Sequence, residues 1–218
     1  MTWLSPAFPV GAFTYSHGLE WAVEDGTVTS AAMLSDWLSD ILRHGAGRSD
    51  AILLVAAFRA SAEERPEDLQ KIAELAYALQ PSKERRLESG AQGRAFAMAI
   101  GDTWGASTLV DLVARLSPDP VAYSVAVGTT AADHHLPLAE TVEAYLTAFV
   151  ANIVSAAVRA VPLGQTDGQR AIRDLAPLVS AVASEALVAS LDDVGGACLR
   201  ADIASMAHET QYTRLFRS

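Results

Sequence analysis

Apolar residues recur at helical spacing over most of the chain. Leu34, Trp37, Leu38, Ile41 and Leu42 fall at i, i+3, i+4, i+7 and i+8, one face of a helix that Ser30 can cap and Gly45 can end. The same pattern predicts helices over residues 50–61, over a segment that opens with Pro66 and closes before Pro81, and over residues 82–104. Residues 121–127 have some β-branched character. The helical pattern returns over 138–160 and 166–190, where Pro177 is expected to introduce a kink, and more weakly over 192–206. No sustained alternation marks a strand, and the Asp25-Gly26 and Asp167-Gly168 pairs lie in helical surroundings. Ser117-Pro118-Asp119-Pro120 separates two groups of helices and reads as a turn, with no Gly/Ser linker or repeat beside it. The expectation is an all-α fold, a single-domain bundle over residues 1–218 with about eight to ten helices.

Composition supports this reading. Half of the 218 residues are apolar and 19% are charged, which suits a chain that can bury a core without disulfides or metals. The net charge of -10 would repel nucleic acid and favours basic partners. A single cysteine, Cys198, excludes an intramolecular disulfide and a Cys-based zinc cage, and fits a cytoplasmic protein. Met-Thr-Trp-Leu-Ser-Pro has no basic residue ahead of an apolar run, so no export signal is expected. The apolar stretch from Leu138 is interrupted by Glu140, Glu143, Asn152 and Arg159, and reads as a core helix and not a membrane span.

Catalytic and metal motifs fit poorly. Neither lysine, Lys71 or Lys83, follows a phosphate-cradling glycine turn. Thr14 stands where a nucleophile elbow around Ser16 needs glycine, and no strand precedes it. His208-Glu209 begins like a zincin motif, but Tyr212 occupies the second ligand position. Asp133, His134 and His135 read as a solvated loop. The histidines His17, His44, His134, His135 and His208 have a spacing that forms no coherent metal site. An all-α hydrolase is the weakest alternative, and no cofactor is expected.

Three segments exceed the needs of a plain bundle. Phe8, Pro9, Gly11 and Phe13 precede the first strong helix, as a staple to the core or as a contact surface. Pro162, Gly164, Gln165 and Gln169 lie between two long helices, where capping explains the glycine but not the glutamines. At the end of the sequence, Tyr212, Leu215 and Phe216 fall on one face if the tail is helical, with Arg214 and Arg217 beside them. Such a composition suits an interface anchor, or docking onto the chain's own core.

These segments together resemble the UreF family of urease accessory proteins, nearly throughout the chain. The resemblance rests on Ala7-Phe8-Pro9-Val10-Gly11-Ala12-Phe13 followed by Ser16 and Gly18-Leu19-Glu20, and on Glu84, Arg86, Ser89 and Gly93. It continues through Arg159 to Gln169, and through His208-Glu209-Thr210-Gln211-Tyr212 with Arg214-Leu215-Phe216-Arg217-Ser218. The chain departs from the family pattern at Ser5, Ala12 and Tyr15, so no role is carried over to those side chains.

The resemblance implies a non-enzymatic adaptor in assembly of the dinuclear nickel site of urease. Its implied partners are the accessory protein UreD, also called UreH, the P-loop GTPase UreG, apo-urease and a second copy of the chain in a homodimer. Charge and the interrupted apolar stretch already give the expectation of no nucleic acid and no membrane, and the alternative function is a direct nickel-binding metallochaperone holding the ion through His17, His44, His134, His135 or His208. Within the resemblance, Gly18, Glu20 and Ser218 join the segments above as expected partner-binding residues. Within a partner-binding tail over residues 207–218, residues 208–218 are expected to be mobile alone and to order when UreD binds, burying Tyr212, Leu215 and Phe216. Glu84 and Arg86 are expected in structural ion pairs or caps.

Overall fold

The computed structural model describes every residue except Met1 and Pro162. The ten α-helices among the described residues are α1 (Leu19–Glu24), α2 (Ala31–His44), α3 (Ala46–Ala62), α4 (Pro66–Ala78), α5 (Lys83–Thr103), α6 (Ser107–Leu116), α7 (Tyr123–Asp133), α8 (Leu138–Ala160), α9 (Gln165–Val188) and α10 (Leu199–His208). Ser30 and Ser82 cap α2 and α5 by accepting the N–H groups of Met33 and Arg85, and Pro66 opens α4. These boundaries match the pattern read from the sequence.

Other elements differ from it. The short α1 and the amphipathic α6 were not predicted, and α3 begins ahead of the expected residue 50. The β-branched stretch lies in α7, where Ser124 to Ala132 are buried, because tertiary packing outweighs local propensity there. α7 packs on α3 and α5, and this trio forms the middle of the bundle. α9 continues through Pro177 to Val188. The weak last helix divides into a turn at Leu191–Asp193 and α10, separated at Gly195 and Gly196.

α8 is long and apolar enough, by length and composition, to cross a membrane. In the fold it packs against α9, α3 and α1, with Val142, Leu146, Val150 and Ile153 buried. The N-terminal segment is pinned by aromatic contacts: Trp3 and Phe8 meet Phe96 at 6.3 and 5.5 Å, and both also meet Trp104. Phe8 is thus a staple to the core.

The inner face of α5 is polar. Glu84, Arg85, Glu88 and Gln92 are buried while Leu87 is exposed, the reverse of an ordinary amphipathic helix. Gly93 sets the distance to α7, since a Cβ there would lie 1.9 Å from the Val121 carbonyl oxygen. Gly93→Ala should therefore lower stability by about 3 kcal/mol, read by thermal or denaturant unfolding. Gly101→Ala in the same helix meets nothing within 4 Å and should be neutral or stabilising by up to about 1 kcal/mol.

Candidate functional site

The segment after α10 is irregular, and it is tied down by carboxylates from the helices beneath it. Glu20 on α1 accepts the backbone N–H groups of Leu215 at 2.6 Å and Phe216 at 2.9 Å. Its Oε2 also lies 3.0 Å from His208 Nε2, while the other ring nitrogen of His208 lies 2.6 Å from Glu84. Glu84 in turn accepts from Arg214 at 2.8 Å. Glu88 accepts from the Ser218 hydroxyl at 2.7 Å, and the Ser218 backbone oxygen accepts from Ser16 N–H, also at 2.7 Å. The Ser16 hydroxyl meets the same oxygen.

The one-faced helical arrangement expected of the tail is corrected: after α10 the segment runs irregularly against the chain's own core. The physical reason is donor supply. A helical tail would spend its N–H groups internally, whereas the irregular one offers them to buried carboxylates that must be satisfied. Tyr212, Leu215 and Phe216 do not share a face. Phe216 is buried beneath the Arg159 guanidinium, 4.5 Å from the ring centre, whereas Leu215 is 72% exposed and Tyr212 is fully exposed.

Arg159 also donates to the Phe13 carbonyl oxygen at 2.7 Å, and Arg217 N–H to that of Thr14 at 2.8 Å. The structure thus unites Phe13, Glu20 and residues 214–218 from the set marked by sequence. Phe13 is exposed, as is Pro9, and Gly11 takes a left-handed conformation before a short turn. Gly18 also takes φ 76°, and a Cβ there would strike the backbone of Ser205 at 2.7 Å, so glycine lets α1 approach α10. Gln165 and Gln169 stand exposed in the first turns of α9, with Gly164 as its N-cap, and Pro162 lies outside the described residues. Glu84 is in structural ion pairs, as expected, while Arg86 lies over the Tyr77 ring.

Glu88 carries the network inward. Its carboxylate meets Arg85 at 2.5 Å, His17 at 2.9 Å and Gln92 at 3.1 Å. Burial alone would raise the Glu88 pKa, but Arg85 and His17 overcome that effect and hold it at about 2. Burial, assisted by Arg85, lowers that of His17 against the pull of Glu88, so the imidazole is neutral near pH 7. Asp50 on α3 takes only the hydroxyls of Tyr145 at 3.2 Å and Ser124 at 3.4 Å, and burial raises its pKa to about 6. Arg85, Glu88 and Asp50 went unmarked in the sequence, and His17 was marked only as one of the dispersed histidines weighed as metal ligands. A usable signal was the charged run on α5 beside Gly90 and Gly93, since small residues mark its buried face.

The histidines are dispersed, and among the described residues no group of three or more His, Cys, Asp or Glu is placed to hold a metal. His208 and His17 face carboxylates, and His134 meets the Gly105 carbonyl oxygen at 2.7 Å.

Two predictions follow from this geometry. Glu20→Gln, which weakens charge-assisted bonds worth about 1.5–3 kcal/mol each, should speed hydrogen exchange at the amides of Leu215 and Phe216 about tenfold or more. Unchanged protection would contradict the clamp. For pH, Glu88 contributes stability that is present above its ordinary 4.5 and lost as pH falls towards about 2. Asp50 acts oppositely: its contribution is present below 3.8 and lost as pH rises to about 6. Denaturant titrations of Asp50→Asn should therefore lack a fall in stability, of the order of 3 kcal/mol, that the unsubstituted protein shows across that interval.

Comparison with known proteins adds the family. A family profile described as UreF matches residues 28–176. The chain is similar to the urease accessory protein UreF of Rhodopseudomonas palustris strain HaA2, 55% identical over 218 residues, covering all of this chain and 92% of the relative. It is similar also to the urease accessory protein UreF of Bradyrhizobium diazoefficiens, 54% identical over 218 residues, covering all of this chain and 90% of the relative. With matches of this extent, this protein belongs to the UreF family of urease accessory proteins.

Proposed function

We propose that this protein is a cytoplasmic adaptor of urease maturation that binds UreD/UreH, recruits and modulates the GTPase UreG, and supports insertion of nickel, as cargo, into apo-urease. One observation carries the contact surface: Tyr212 and Leu215 are exposed on a segment held by Glu20 at its backbone and by Glu84 and Glu88 at the Arg214 and Ser218 side chains. An anchor already held in place costs less ordering entropy on association than a mobile tail. Phe13, joined to this segment through Arg159, extends the apolar surface, and Arg217 is exposed beside it. Gln165 and Gln169, one helical turn apart, offer a second polar surface for UreD or UreG. A homodimer would present two copies of each surface and bring two GTPase subunits together.

The adaptor role is tested by co-expressing urease with UreD, UreG and the remaining accessory proteins at limiting nickel, with and without this chain. Nickel content of the purified urease should fall when the chain is omitted and return with it; equal loading would refute the role. The surface is tested separately. Leu215→Asp with Tyr212→Ala should weaken capture of UreD about tenfold or more while the melting temperature stays within a few degrees, because both side chains are exposed. Full-strength capture would place the UreD contact elsewhere.

A further inference from the structure

A cavity of about 400 Å³ lies between the N-terminal segment, α5 and α8. Its wall includes Phe8, Tyr123, Tyr145 and Phe149, and its polar lining includes His17, Asp50, Arg85 and Glu88. The volume is that of a small-ligand site, and an apolar wall with a few convergent polar groups is how such sites are built.

The hydrogen-bonding inventory of this lining is unbalanced. Arg85 is committed to Glu88 at 2.5 Å and makes only a long 3.4 Å contact with His17 Nε2. The shorter contact of that nitrogen, 2.9 Å, is to the Glu88 carboxylate and calls for a proton on it; Glu88 is further satisfied by Gln92 and Ser218. Asp50 has no ion pair among the described residues and only two long hydroxyl contacts. His17 is 8% exposed and neutral; with its Nε2–H donating to Glu88, its Nδ1 is an acceptor, and that atom is buried without a partner. The backbone of His17 takes φ 56°, a left-handed conformation uncommon for a non-glycine residue. The lining thus carries one acceptor without a partner, His17 Nδ1, and one carboxyl group held only by two hydroxyls with no cation paired to it, beneath aromatic rings. A second cavity of about 380 Å³, lined by Asp202 on α10, reaches His17, Asp50 and Arg85 from another side.

We propose that this cavity binds an organic cation, a guanidinium or alkylammonium group on a short apolar stem, with its head against Asp50 and His17. Such a head supplies only donors, which is what these atoms lack, and aromatic walls favour a cation near their faces. The negative net charge of the chain draws cations towards it. The stem fills the space beside Phe149. The cation reaches the site either as a free small molecule or as an arginine or lysine side chain of a protein.

The test uses the full chain. n-Butylguanidinium, the neutral n-pentanol and a capped Gly-Arg-Gly peptide are titrated by calorimetry, with ring resonances of His17 and Phe149 followed by NMR. The cation should bind saturably at about pH 7.5 and about tenfold or more weaker at about pH 5, as Asp50, faced by Tyr145, Arg85, Glu88, His17 and Tyr123, takes up a proton. Asp50→Asn should weaken it similarly. Ala148→Phe, which fills the cavity from a partly exposed position of α8, should abolish binding in a folded protein and serves if Asp50→Asn is unstable. Tighter binding of the peptide than of the free cation assigns the site to a protein side chain; the reverse assigns it to a small molecule. Equal binding of n-pentanol, or no binding of either cation, would overturn the proposal.

Discussion

Buried carboxylates need donors, and in this fold that need reaches from the helices to the last residues of the chain. Glu20, Glu84 and Glu88 are nearly excluded from solvent, a costly arrangement unless each charge is paired and hydrogen-bonded. His208, Arg85 and Arg214 provide side-chain partners, and the remainder comes from Leu215 N–H, Phe216 N–H and the Ser218 hydroxyl. The irregular terminal segment and the polar inner face of α5 therefore require each other. Removing either would leave buried charge without compensation.

The same arrangement separates what is held from what is shown. Phe216 and Ser218 face inward, while Tyr212 and Leu215 face solvent on a fixed backbone. For the proposed adaptor role such a division is useful, because a contact surface shaped before a partner arrives costs less ordering entropy on association. Glu88 joins this surface to the cavity: it touches Ser218 on one side and His17 and Arg85 on the other. His17, at the cavity, and Ser218, at the end of the terminal segment, thus share one carboxylate.

Helices with one apolar stripe were legible from residue order alone. Leu34 to Leu42 marked the buried face of α2, and Ser30, Pro66 and Ser82 marked helix starts, because capping and periodicity act within a few residues. The motifs at Phe8 to Glu20 and at His208 to Ser218 were visible too, but their geometry was not. Helical periodicity placed Tyr212, Leu215 and Phe216 together, whereas Glu20, far earlier in the chain, draws the Leu215 and Phe216 amides out of any helix.

The amino-acid sequence by itself determined the all-α class, the principal helices and the family, because each rests on local spacing or on residues aligned in order. Only the tertiary structure decided that α5 buries charge, that α7 is helical despite its β-branched residues, and that the tail is clamped with two side chains outward. It also brought Asp50, Arg85, Glu88 and His17 together from three separate segments. Those outcomes depend on which buried donors and acceptors meet across long sequence separations, and hydrogen-bond satisfaction in a packed interior is a property of the whole fold.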